Sequence, residues 1–280
     1  MKIEIQNAFR EIQHYLDRVQ AGQAPEICWE EEVIAPYWAK LCAYAPFDLS
    51  ERKPRPITDL SILRQQCVLL QRLDMEGLER TFEKIASTLP CEDDDPVTVV
   101  IFPGDHNNQT VNNQQNGVIG TSLFGNMLIQ VNPLVAEYEP WISYVFAHEL
   151  HHAVWGNYWF VLHAGELENR LIDALVIEGE ADCFALEMHP DLHPKWLFGL
   201  PEEEMLALWQ NKYKQRLLQK EPDAALYLFG NEKASIPWCA GYAIGYWLVQ
   251  RYLRQTNQSV ASILKIKPED MLQQLLQAET

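Results

Sequence analysis

The sequence predicts an α+β protein: a small mixed sheet packed on one long helix and surrounded by many others. Three observations predict it. β-branched and apolar runs bounded by turn residues are confined to residues 97–131. Elsewhere the apolar residues recur at helical spacing. Between these regions, Ser143–Gly156 carries His148, Glu149 and His152 as H-E-x-x-H within a helical pattern.

Taken in order, residues 3–20 predict an amphipathic helix through Ile5, Phe9, Ile12, Leu16 and Val19, stopped at Ala21-Gly22. Residues 25–48 predict helix with an aromatic surface of Trp29, Tyr37, Trp38, Tyr44 and Phe47. Glu51–Pro56 is a charged, proline-broken link. Thr58–Leu89 returns to helix through Leu60, Leu63, Cys67, Leu70, Leu73 and Leu78, a core stripe. The character changes at Cys91–Pro96, and Val97–Phe102 reads as a buried strand closed by Pro103-Gly104. Asp105–Asn116 is polar and reads as a surface loop, with a lid over the site as the sharper alternative. Gly117–Gly120 and Gly125–Val131 predict two more strands. Asn126 and Gln130 are awkward for burial on both faces, so the second is expected at a sheet edge where an extended peptide pairs with residues 126–130.

Pro140 suits an early helical position and Gly156 a C-terminal stop, which places the H-E-x-x-H helix at 140–155. A second long helix is expected from about Gly165 to His189, before Pro190 and Pro194. Residues 201–220 predict an exposed helix, with Glu202, Glu203 and Glu204 early and Lys212, Lys214, Arg216 and Lys220 late, matching the helix dipole. Further helices follow over 238–250 and from Pro268. Residues 1–90 thus read as an N-terminal helical region, and 91–280 as a catalytic domain.

The chain has 280 residues, 48% of them apolar, and a formal net charge of −17. That charge repels phosphate backbones and anionic headgroups, so nucleic acid is excluded as the expected partner. No stretch approaches the eighteen or so apolar residues of a membrane span. The N-terminus shows no basic segment followed by an apolar run, and the six cysteines are scattered without a C-x-x-C pair. A cytoplasmic protein with free thiols is the expectation. Nothing in the pattern sets an oligomeric state.

On a helix, residues four apart share a face. His148 and His152 can therefore present two imidazole nitrogens to one Zn²⁺ about 2.0–2.1 Å away. Glu149, one step round, stands beside the ion and can take a proton from its bound water. Trp141, Tyr144, Val145, His148, His152 and Trp155 form one stripe, so both histidines face inward. The metzincin pattern would need glycine and histidine where Trp155 and Tyr158 stand, and fails. The second helix supplies a third ligand instead. Its apolar stripe (Leu171, Ala174, Leu175, Ala181, Ala185) is interrupted by Glu178 and Asp182. A buried carboxylate requires a cation or a donor. Zinc satisfies Glu178, and Asp182 can accept the second N–H of a ligand histidine. Gly179 lets these two helices approach closely. His151 is expected at the surface or behind the ligands, and Glu166 and Glu180, off the stripe, in solvent.

H-E-x-x-H followed by E-x-x-x-D resembles the gluzincin metallopeptidases. Val-Phe-Ala-His-Glu-Leu-His-His, Val-Ile-Glu-Gly-Glu-Ala-Asp and Pro-Trp-Cys-Ala-Gly-Tyr-Ala-Ile-Gly-Tyr together are similar to the YjaZ-like predicted Zn-dependent proteases of bacteria. The likeness runs from about Val97 to near the C-terminus. It implies a zincin-like fold, Zn²⁺ bound by His148, His152 and Glu178, and Glu149 as general base in peptide-bond hydrolysis of a peptide or protein substrate. Related zincins place a tyrosine or histidine at the developing oxyanion. Tyr242 is the expected donor here, with Tyr246 and His163 as rivals. The alternative from another class is a zinc-binding regulator or chaperone without turnover, built on the same fold.

Overall fold

The computed structural model describes residues 1–10, 12–90, 96–220 and 224–277. The change of character expected at Cys91–Pro96 lies, except for Pro96, outside them. The chain divides into two compact units, Met1–Ala153 and Val154–Thr280.

The first unit holds β1 (Ile3–Asn7), α1 (Ile12–Gln20), α2 (Pro25–Trp29), α3 (Ala35–Leu41), α4 (Leu60–Leu70), α5 (Met75–Ala86), β2 (Val97–Pro103), α6 (Gln109–Gln114), β3 (Val118–Leu123), β4 (Asn126–Val131) and most of α7 (Glu139–Gly156). The strands form one mixed sheet in the order β1-β2-β4-β3. β1 and β4 both run parallel to β2, and β3 is antiparallel to β4. Every residue of β2 is buried, as its apolar run requires for a central parallel strand.

Two expectations are corrected here. Ile3–Asn7 is a strand, so the helix begins only at Ile12. β4 is interior, with Leu128 opposite Val100 on one side and Thr121 on the other. The edge position next to it belongs to β3. Asn126 tolerates burial because its side chain is saturated: Oδ1 accepts from the Thr98 N–H at 2.9 Å, and Nδ2 donates to the Lys40 carbonyl at 2.8 Å. The β3–β4 hairpin turns through Phe124 and Gly125, both at positive φ (57° and 112°), the conformation that a two-residue hairpin needs. The polar stretch after β2 folds into α6, with Asn108 Oδ1 accepting from the Val111 N–H as N-cap.

The sheet packs on α7 as expected. Val145 and Glu149 of the helix stand directly against Gly120 of β3. On another side Phe146 stacks on Phe82 of α5, ring centroids 3.8 Å apart and planes within 2°. Tyr144, Phe146, Ala147 and Leu150 are all fully buried, so α7 is enclosed nearly all round rather than along one stripe.

The second unit is helical. Gly156 does not stop the chain's winding, which continues as a π-helical turn over Asn157–Leu162 and ends at His163. Then come α8 (Leu171–Met188), α9 (Lys195–Phe198), α10 (Glu202–Leu208), α11 (Ala224–Phe229), α12 (Ala240–Thr256), α13 (Val260–Ile263) and α14 (Pro268–Gln277). The exposed helix expected over 201–220 is shorter, because α10 passes into a π-helical turn at Trp209–Tyr213. α8 packs along α12, and the glycines of both helices decide how closely. A Cβ on Gly179 would sit 2.3 Å from the Gly245 carbonyl oxygen, and one on Gly245 only 2.1 Å from that of Leu175. Gly179 therefore serves the α8–α12 contact, a different partner from the one expected. Arg170 ties the start of α8 to α14 through Glu269 at 2.9 Å. Among the described residues no helix is long and apolar enough to cross a membrane, and Cys28, Cys42, Cys67, Cys183 and Cys239 are free thiols.

Candidate metal centre

The first unit carries the H-E-x-x-H segment on α7. One helical turn separates His148 from His152, and their Nε2 atoms converge to 2.9 Å. Two nitrogens about 2.0–2.1 Å from a tetrahedral zinc stand roughly 3.3 Å apart, so the pair would open by only a few tenths of an ångström to hold one. Both rings are half-buried. Such an approach of two imidazole nitrogens fits a shared cation between them.

Glu149 is turned elsewhere. Its carboxylate, on a residue only 9% exposed, accepts the backbone N–H of Ser122 in β3 through Oε2 at 2.7 Å. That hydrogen bond holds the carboxylate against β3. The sequence offered one sign of this contact, the glycine at 120 inside a strand pattern, which marks close approach of another group. His151 is fully buried, which excludes the surface and leaves the other of its two expected positions, behind the candidate ligands.

The second unit carries Glu178 and Asp182 on α8. Glu178 is half-buried and Asp182 fully buried, one turn apart, as the stripe requires. Trp196 of α9 donates its indole N–H to Asp182, at 3.1 Å to Oδ1 and 3.3 Å to Oδ2, a partner that nothing in the sequence signalled. Trp196→Phe removes that donor from a buried carboxylate and should cost about 1–3 kcal/mol, read as a fall in Tm. Glu180 is not in solvent. It is fully buried, since α8 is covered on more than its apolar stripe, and desolvation holds its carboxyl well above the usual range. Glu166 is exposed as expected. It accepts from His163 at 2.9 Å and Lys267 at 3.0 Å, which together lower its pKa.

The three proposed oxyanion donors differ in setting. Tyr242 on α12 is half-buried with its ring 5.6 Å from that of Phe229. Tyr246, one turn on, lies against Phe198, and burial pushes its hydroxyl up to about 12. His163 is occupied by Glu166 and by the Tyr158 ring at 4.2 Å.

The chain is 28% identical over 156 residues to Uncharacterized protein YjfC of Bacillus subtilis (strain 168), covering 48% of this chain and 47% of that protein. It thus spans about half the length of the relative it matches. No solved structure gives a significant match. Residues 75–273, which include the sheet from β2 onward, α7, α8 and α12, match the family described as Predicted Zn-dependent protease (DUF2268), and to that family the chain belongs.

Proposed function

We propose that the protein is a gluzincin-type peptidase in which His148, His152 and Glu178 hold one Zn²⁺ and Glu149 is the general base. The observation that carries this reading is the division of labour on α7. Two imidazole nitrogens converge while the carboxylate between them in sequence is held apart by Ser122. Two imidazoles and one carboxylate are a donor set that suits zinc and leaves a position open for chemistry. The catalytic region in this reading is 91–280.

Bound zinc would supply Lewis acidity, polarising a scissile carbonyl and making a water acidic enough to react near neutral pH. Glu149 accepts the proton of the attacking water and passes it to the leaving amine. Tyr242 donates its hydroxyl to the carbonyl oxygen as charge develops there. Asp182, steadied by Trp196, orients a ligand histidine by accepting its second N–H. An extended peptide or protein segment pairs with the free edge of β3, the strand that replaces β4 in this role.

The test is metal analysis joined to turnover. The purified protein should hold about one zinc per chain, and hydrolysis of a mixed peptide library should vanish with a chelator and return with zinc. Glu178→Gln should weaken zinc binding itself, and Asp182→Asn should cost about 10–100-fold in metal affinity or activity. Absence of zinc after repletion ends this reading. A full zinc complement without turnover of any peptide would instead indicate a binding protein.

A further inference from the structure

In an antiparallel ladder, successive residues alternately face the partner strand and turn away from it. The Gly117 carbonyl accepts from the Asn132 N–H at 2.7 Å, so Gly117 faces β4. By alternation Val118, Gly120 and Ser122 turn their N–H and C=O groups outward, along the free edge of β3. Val118 uses its N–H within its own turn, donating to the Gln115 carbonyl at 3.1 Å. Ser122 gives its N–H to Glu149 Oε2 at 2.7 Å, shorter than an ordinary amide bond and as expected for a charged acceptor. Gly120 lies between them, and the Glu149 side chain crosses it closely. A Cβ at 120 would come 2.4 Å from Glu149 Cγ, 2.8 Å from Glu149 Oε1 and 2.7 Å from Val145 Cγ1. Only glycine leaves that path open.

We infer that Gly120 and Ser122 are positioning residues for the base: the Ser122 amide anchors one oxygen of Glu149, and Gly120 clears the path that carries the carboxylate there. The inference rests on Glu149 being the base. Its consequence is that Oε2 is committed to the strand, and Oε1 is the oxygen left for proton transfer. Tying the base to the strand that receives substrate also fixes the distance between the two. The base then need not be ordered at the moment of reaction, which is where a freely rotating glutamate would lose rate. The same contact sets register, since a peptide pairing with β3 finds the Ser122 donor already taken.

The contact is read directly by amide exchange at Ser122, in zinc-loaded and in metal-free protein. An outward N–H on a free edge exchanges quickly unless an acceptor covers it. Exchange at Ser122 should be slow in the wild type and about tenfold faster in Glu149→Ala, as expected for one lost hydrogen bond. It should return close to wild type in Glu149→Gln, whose amide oxygen has the same reach. The second arm is Gly120→Ala. Its zinc content should match the wild type, while kcat falls about 10–100-fold as expected for a misplaced base. Equal Ser122 exchange in wild type and Glu149→Ala overturns the inference, as does wild-type kcat in a folded Gly120→Ala. If the alanine at 120 prevents folding, the exchange measurement decides. If the wild type cleaves no peptide, the catalytic reading fails while the exchange result still judges the anchor.

Discussion

Glu149→Gln is expected to keep its zinc and lose hydrolysis, with kcat/KM falling about 10²–10⁴-fold, the usual contribution of a positioned acid–base group. Zinc should be retained because the proposed ligand atoms on α7 are the two Nε2 nitrogens, whereas the Glu149 carboxylate is engaged by the Ser122 amide. Glutamine is the informative choice. It preserves volume in a tightly crossed space beside Gly120 and can still accept from Ser122, so the local structure survives. What it removes is the ability to take a proton. Metal analysis and kinetics on the same preparation check this. A variant that loses zinc with its activity would make Glu149 a ligand, and the roles assigned on α7 would be wrong.

The helix faces of the candidate site were legible because helix geometry turns a spacing of four into a shared face without help from the rest of the fold. His148, His152, Glu178 and Asp182 all follow from that rule. What failed were inferences that treated a helix as having one buried side. Glu180 falls off the apolar stripe of α8, yet it is fully buried, because that helix is covered on more than one face. Strand positions failed for a related reason. Ile3, Glu4, Ile5 and Gln6 alternate with period two, but Ile5, Phe9 and Ile12 also fit a helix. The parallel partner that settles the matter, β2, lies some ninety residues away in the chain. Likewise Asn126 looked too polar for an interior strand, and only the fold reveals the Thr98 and Lys40 backbone groups that satisfy it. Gly120 showed in the sequence only as a glycine within a strand; Ser122, which contributes a backbone amide, left no mark at all.

The largest stability effect is expected where α8 meets α12. Gly245→Ala puts a methyl group 2.1 Å from the Leu175 carbonyl oxygen, and Gly179→Ala puts one 2.3 Å from that of Gly245. Both obstacles are backbone, which cannot rotate aside, so the helices must separate and the side chains packed between them lose contact. Alanine is the better helix former by about 1 kcal/mol, which works in the opposite direction. Overpacking typically costs about 1–3 kcal/mol and more when no side chain can yield, so the net effect is a loss. A fall in Tm of roughly 2–6 °C follows, since 1 kcal/mol moves the midpoint of a chain this size by about 2 °C. The double variant should cost clearly less than the sum of the two, because one separation of the helices relieves both clashes. Gly156→Ala is the internal comparison: its Cβ would meet only Phe160 Cδ2, at 3.7 Å, so that substitution should leave Tm unchanged or raise it. Glu178 precedes Gly179 in the chain, so Gly179→Ala should also weaken zinc binding, an effect that a loss of packing far from α8 would not produce. A Gly245→Ala protein as stable as the wild type would show that the two helices part without cost.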